Sequence, residues 1–95
     1  MTYLIDLGFD EETIKNFEEN IPKLAAEKLA EEKELVTTNI NYLKELGVKN
    51  YVVAFLKFYN MFLMDAKTFE EVFSKYDRED LIAKLEKNVA IMEYL

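Results

Sequence analysis

A seven-residue pattern occurs twice in this chain and strongly constrains its fold. Residues 3–9 read Tyr-Leu-Ile-Asp-Leu-Gly-Phe, and residues 42–48 read Tyr-Leu-Lys-Glu-Leu-Gly-Val. Each copy has the pattern of a helix end, because glycine can adopt the left-handed conformation without a Cβ penalty. Similarity at an offset of about 20 to 50 residues is typical of stacked helical units. The chain is therefore predicted to be all-α, with five or six helices in an irregular bundle or a short helical-repeat stack.

Length and composition favour a single helical domain over residues 1–95. Apolar residues make up 51% of the chain, which has only two glycines and one proline, so disordered or linker-rich architectures are not expected. A chain of this length supports one modest core. The repeated pattern also allows a division of this domain into two degenerate repeats, 3–41 and 42–95.

The spacing of apolar residues predicts where the helices lie. Glycine, proline and N-cap residues supply the predicted boundaries. The first half is predicted to contain a short turn over 3–7, a helix over 11–20 capped by Asp10, and a helix over 24–46 that is either continuous or broken near its start. The second half is predicted to contain a helix over 50–64 that begins at Asn50, a short helix opened by a Thr68–Glu71 capping box, and a last helix from Asp77 through Met92. In the short helix, the residues predicted to point inward are Phe69, Val72, Phe73 and Tyr76.

The segment 50–64 is apolar on nearly every side. Only Asn50, Lys57 and Asn60 are polar among its fifteen residues. Such a helix is either the buried centre of a fold or offers one face to a partner, and aromatic residues and methionine are enriched at interface centres. The residues predicted for an interaction face are Tyr51, Phe55, Phe58, Tyr59, Met61, Phe62 and Met64.

The charge is acidic and unevenly distributed. The formal net charge is −7, and residues 1–47 carry five lysines against eleven acidic residues, whereas residues 48–95 carry seven basic against eight acidic. Nucleic-acid binding depends on lysine and arginine that neutralise phosphates, so nucleic acid is an unlikely partner. No secretory signal, transit peptide or membrane span is expected, and a cytoplasmic location is the default expectation.

The residue inventory gives little support for catalysis or for a bound metal. The chain has no histidine and no cysteine, and Ser74 is its only serine, so the commonest general base, metal ligand and thiolate nucleophile are missing. Four glutamates on the long helix could suggest an Mg²⁺ site, but interleaved lysines favour a solvated surface. Those glutamates are Glu27, Glu31, Glu32 and Glu34. We predict no catalytic residue, no metal and no cofactor.

Part of the chain resembles a known helical repeat. Residues 7–48 contain, in order, Leu-Gly-Phe, an acidic cap, Ile14, Phe17, Pro22, Leu24, Leu29, Ile40, Tyr42-Leu43 and Leu46-Gly47. This order is similar to a repeat of the mitochondrial transcription termination factor family. The resemblance implies a left-handed stack of short helical hairpins whose concave side holds nucleic-acid backbone through basic residues. Met61 stands where that repeat has a proline, and no cluster of basic residues accompanies the frame.

These observations favour a non-catalytic protein-interaction module. Its apolar and aromatic helical face is expected to bind a protein partner or a second copy of the chain, so a homodimer is one expected form. The alternative is a nucleic-acid-binding helical repeat of the resembled family. A more remote alternative is an Mg²⁺-dependent all-α nucleotide hydrolase.

Overall fold

Helices dominate the computed structural model, which describes residues 1–95: they include 81% of the residues, and no strand is present. The six α-helices are α1 (Glu11–Asn20), α2 (Lys23–Glu31), α3 (Lys33–Leu46), α4 (Tyr51–Phe58), α5 (Ala66–Ser74) and α6 (Arg78–Lys87). Three 3-10 helices complete the fold: the N-terminal (Thr2–Leu7), the middle (Tyr59–Leu63) and the C-terminal one (Val89–Tyr94).

The predicted all-α class is confirmed, and the predicted number of helices is slightly too low. There are eight helices when α4 and the middle 3-10 helix, which follows it directly, are counted as one. The 24–46 segment contributes two of them, because it is broken at Glu32, where the backbone has φ −93° and ψ 34°. The segment 50–64 is not one α-helix either, since it changes to 3-10 geometry at Tyr59.

The two glycines end their helices with the same backbone geometry. Gly8 has φ 102° and ψ 10°, and Gly47 has φ 104° and ψ 13°. In both copies the amide of the next residue bonds a carbonyl five residues back, from Phe9 to Leu4 and from Val48 to Leu43, each at 3.1 Å. This is the bonding of a Schellman cap, which satisfies carbonyls that the helix leaves free. The repeated pattern therefore specifies a repeated local structure, while the division into two longer repeats stays a prediction.

Tyr3 stabilises the junction between α2 and α3. Its hydroxyl donates a hydrogen bond of 2.7 Å to the carbonyl oxygen of Leu29, which lies in the last turn of α2. The last carbonyls of a helix lack partners within the helix, so the tyrosine supplies one where the 24–46 segment breaks. Burial raises the pKa of Tyr3 to about 12, because a phenolate in this place would lose its hydration.

A row of phenylalanines forms the centre of the core. Phe55 of α4 lies between Phe17 and Phe62, with ring centroids 5.4 and 5.2 Å away, and the row continues from Phe62 to Phe69 at 5.1 Å and to Phe73 at 4.8 Å. These rings meet edge-on or tilted, the arrangements that aromatic pairs prefer. The row belongs to one cluster of eighteen buried apolar residues drawn from all parts of the chain.

Two predicted helix boundaries are wrong and three are confirmed. Asp10 and Asp77 cap α1 and α6 as predicted, each accepting a hydrogen bond from a backbone amide three residues on. The Thr68–Glu71 box does not form, because Asp65 caps α5 and places Thr68 inside the helix. Asn50 lies at the N-cap position of α4, as predicted, and its side-chain amide donates to the Leu85 carbonyl rather than to the helix. The last α-helix ends at Lys87 rather than continuing through Met92.

Candidate interaction groove

The structure divides the seven residues predicted for an interaction face into three groups. Phe55 and Phe62 have no exposed surface, so their assignment to an interaction face is wrong. They are core residues and belong to the phenylalanine row. Tyr51 points to the N-terminal end of the fold, where its hydroxyl donates to the Leu7 carbonyl at 2.7 Å. The other four lie together along one groove; they are Phe58, Tyr59, Met61 and Met64.

This groove lies between the end of α4, the middle 3-10 helix, α5 and the C-terminal 3-10 helix. Its volume is about 300 Å³, and seven of its ten lining residues are apolar. We call it the methionine groove. Its residues are Lys57, Phe58, Tyr59, Asn60, Met61, Met64, Val72, Met92, Glu93 and Leu95.

Three of the four methionines in the chain line this one groove. Met92 is 1% exposed and belongs to the core, whereas Met61 and Met64 are half-buried and packed against it. Methionine has three rotatable bonds and a polarizable thioether, so it adapts to differently shaped apolar groups and is common at binding surfaces. The groove therefore has an adaptable apolar lining.

The rim of the groove carries polar and aromatic groups. Lys57, Asn60 and Glu93 are exposed on it, so both signs of charge are present. At the Leu95 end, Tyr76 is 40% exposed and its hydroxyl lies 3.5 Å from the Leu95 carbonyl oxygen. The prediction that Tyr76 points inward is therefore wrong, because α5 ends at Ser74, two residues before it.

Asn39 holds the backbone that presents the methionines. It lies on α3, is 1% exposed, and is the one polar residue among the buried ones. Its side-chain amide donates to the carbonyl oxygens of Phe62 and Met64, both at 3.0 Å. The middle 3-10 helix ends at Leu63, so its last carbonyls need partners from outside the helix. Asn39 supplies a partner for the Phe62 carbonyl and also binds the Met64 carbonyl just past the helix, which holds the backbone between Met61 and Met64.

The sequence contains a signal for the role of Asn39 in its spacing from buried neighbours. Asn39 is three residues after Val36 and four before Leu43, and both of these are fully buried. An asparagine at a position of the apolar stripe is expected to bond through its side chain, because unpaired buried polar groups are costly. In the structure its amide nitrogen has two partners and its Oδ1 has none. The spacing thus indicates a buried amide that bonds something, although it does not show which carbonyls receive it.

A second, larger depression has different chemistry. It has a volume of about 610 Å³ and lies between the N-terminal 3-10 helix and α1. Only two of its seven lining residues, Ile5 and Ile14, are apolar, and three are glutamates. Ligand sites are usually lined mainly by apolar groups with a few polar ones, so the smaller methionine groove is the better candidate.

The carboxylates considered for Mg²⁺ do not converge on a common site. The structure contains no group of three or more side chains of metal-ligating type placed to hold an ion. Glu32 pairs instead with Lys28, one turn earlier, at 3.4 Å on the surface. The groups with displaced pKa values lie outside the groove: Tyr3, Tyr42, whose pKa is raised by burial and by Glu70, and Asp10, whose pKa is lowered by hydrogen bonds from Thr13.

Comparisons with protein-family models, with curated proteins and with solved structures found no match to this chain. The resemblance of residues 7–48 to the mitochondrial transcription termination factor repeat therefore stays a prediction. None of the helices combines the length and the apolar character needed to cross a bilayer.

Proposed function

We propose that this chain is a non-catalytic interaction module whose methionine groove binds the apolar side chains of an amphipathic, net-basic segment of another protein. The observation that carries the proposal is the placement of three of the four methionines along one apolar groove. A lining of this kind accepts varied side chains from a peptide segment, as flexible methionine-rich surfaces do.

The size of the groove supports a short segment as its occupant. An apolar cavity of about 150 Å³ holds one benzene molecule, so a groove of about 300 Å³ accommodates roughly two apolar side chains. A stable dimer buries about 800 Å² on each partner, more than a tenth of the 5970 Å² surface of this chain. Two exposed large apolar residues adjoin the Leu95 end of the groove: Tyr76, whose hydroxyl is 3.5 Å from the Leu95 carbonyl oxygen, and Tyr94, which precedes Leu95 in the sequence. The other three, Ile5, Leu24 and Val53, do not line the groove.

Charge supports a basic segment rather than a second copy. The chain has a net charge of −7, so two copies repel each other while a cationic segment is attracted. Attraction of this kind raises association rates and falls as salt screens the charges. The groove rim itself carries one charge of each sign, Lys57 and Glu93, so the attraction comes from the net charge of the whole chain.

A synthetic amphipathic helix made of leucine and lysine tests the proposal. Titration calorimetry at low salt would compare this peptide with a scrambled peptide of the same composition. We expect the ordered peptide to bind and the scrambled one to bind at least about tenfold more weakly, which corresponds to about 1.4 kcal/mol. Raising the salt concentration is expected to weaken the binding.

Two variants connect this binding to the groove. The double substitution Met61→Gln and Met64→Gln keeps the side-chain length but makes the lining polar, and it is expected to weaken binding about tenfold or more. Leu24→Gln is the matched control, because Leu24 is 79% exposed on α2 and outside the groove. Equal affinity of the double variant and the native protein would contradict the proposal. So would self-association that the double variant abolishes, because a second copy would then be the occupant.

A further inference from the structure

The three methionines of the groove differ in exposure. Met61 and Met64 are half-buried residues, whereas Met92 is 1% exposed. These 95 residues contain no cysteine, so no thiol in the chain competes for an oxidant. Reaction at a thioether requires contact between the oxidant and the sulfur, and methionine-rich interfaces are among the places where its oxidation has the largest effect.

We infer that Met61 and Met64 form a selective modification site at which hydroperoxides convert thioether to sulfoxide, and that this modification closes the methionine groove to apolar ligands. The closure rests on the proposed function, whereas the selectivity rests only on the different burial of these residues. Met92 lies in the same groove but is shielded by the core. It therefore serves as an internal comparison.

The step is a two-electron oxygen transfer. A lone pair of the methionine sulfur attacks the terminal oxygen of the hydroperoxide, the O–O bond breaks, and an S–O bond forms. The sulfur is oxidised to the sulfoxide, and the peroxide is reduced to water, or to an alcohol if it is organic. The proton of the attacked hydroxyl passes to the departing oxygen, which gives the water or alcohol. The thioether is the only protein group that is oxidised, and methionine sulfoxide reductases reverse the change.

The sulfoxide changes the chemistry of the groove rather than its position. It places a polar, hydrogen-bond-accepting oxygen on side chains that line the groove together with Phe58, Val72 and Leu95. An apolar side chain that enters the oxidised groove would bury this oxygen without a partner, which is unfavourable. Because Asn39 fixes the carbonyls of Phe62 and Met64, the backbone that carries both methionines stays in place. Oxidation is therefore expected to weaken apolar binding without unfolding the chain.

Peptide mapping by mass spectrometry tests the selectivity. The folded protein would be treated with hydrogen peroxide for increasing times, quenched and digested, and the fraction of each methionine that has gained one oxygen atom would be measured. We expect Met61 and Met64 to be oxidised at least about tenfold faster than Met92. The same treatment in denaturant is expected to make the three rates equal. Equal rates in the folded protein would overturn the inference.

Binding of the leucine–lysine peptide tests the consequence. We expect peroxide to weaken binding at least about tenfold in the native protein, and methionine sulfoxide reductase to restore it. The variant with Met61→Leu and Met64→Leu keeps the apolar lining without oxidisable sulfur at these positions, so its binding should survive the same treatment. Equal loss of binding in this variant would overturn the inference. Failure of the untreated protein to bind the peptide would count against the proposed function. Peptide mapping would still show whether Met61 and Met64 are oxidised faster than Met92.

Discussion

The two faces of the segment 51–64 have similar side chains and different surroundings. On one face Phe55 and Phe62 are completely enclosed by rings from α1 and α5. On the other, Met61 and Met64 are half-buried along a groove. Burial on the first face supplies stability, and incomplete burial on the second leaves apolar surface available to a ligand. One apolar segment can thus serve the core and a binding site together.

The largest expected effect comes from the enclosed face. Phe62→Ala removes a ring that contacts both Phe55 and Phe69, and such a truncation costs about 3–5 kcal/mol. A domain of this size has a total stability of about 5–15 kcal/mol, so the variant should be marginally folded. Urea unfolding followed by circular dichroism measures the loss. Phe58→Ala, on the groove side, is the matched control, and its free energy of unfolding should fall clearly less. Equal falls in the two variants would contradict the distinction between the two faces.

Asn39→Ala tests whether Asn39 fixes the backbone of residues 62–64, which connects the two faces. The substitution leaves the carbonyls of Phe62 and Met64, the first buried and the second partly buried, without their donor, and a cost of about 1–3 kcal/mol in the free energy of unfolding is expected. Hydrogen exchange should increase most over residues 59–64. The neighbouring Thr38→Ala removes only an exposed bond to the Glu34 carbonyl and should have little effect. Unchanged exchange in the Asn39 variant would show that the asparagine does not fix this segment.

Tyr3→Phe tests how much a hydrogen bond far from the groove contributes to stability. At neutral pH it removes the bond to the Leu29 carbonyl, and a cost of about 0.5–1.5 kcal/mol is expected.

The pH dependence has a definite sign. The pKa of Tyr3 is raised to about 12 in the folded protein, against about 10 in the unfolded chain. Its contribution is fully present below about pH 10 and is lost as the pH rises toward 12. Stability curves over this range should therefore fall less steeply in the variant than in the native protein. An equally steep fall would rule out a contribution from Tyr3.

The smallest effect on stability is expected from the open face. Gln at positions 61 and 64 leaves the enclosed phenylalanine row untouched, so the free energy of unfolding should change by less than about 1 kcal/mol. Chemical denaturation checks this value on the same samples used for peptide binding. A loss as large as that of Phe62→Ala would mean that these methionines act in the core and are not free for a ligand.

Local sequence signals were sufficient for much of the fold. The glycine pattern predicted both helix ends, and Asp10 and Asp77 were recognised as caps because their bonds are made within three residues. Thr68 misled the prediction of α5, since Asp65 is an equally good N-cap one turn earlier. Competing local signals of similar strength cannot be ranked without the packing that selects between them.

The groove was only partly predictable for a physical reason. Composition alone identified Phe58, Tyr59, Met61 and Met64 as members of an apolar segment. It could not separate them from Phe55 and Phe62, because the change to 3-10 geometry at Tyr59 alters which side chains share a face. Closure of the groove by Met92 depends on the C-terminal 3-10 helix folding back, a contact between residues some thirty positions apart in the sequence.

The most direct test of the methionine groove follows the four methionine methyl groups by NMR while the leucine–lysine peptide is added. With ¹³C-labelled methionine methyls, each residue gives its own signal, and Met1 lies outside the groove as an internal control. We predict that the signals of Met61, Met64 and Met92 shift in a saturable way while that of Met1 stays in place. Saturable binding with the three groove signals unmoved would contradict the assignment of this groove as the binding site.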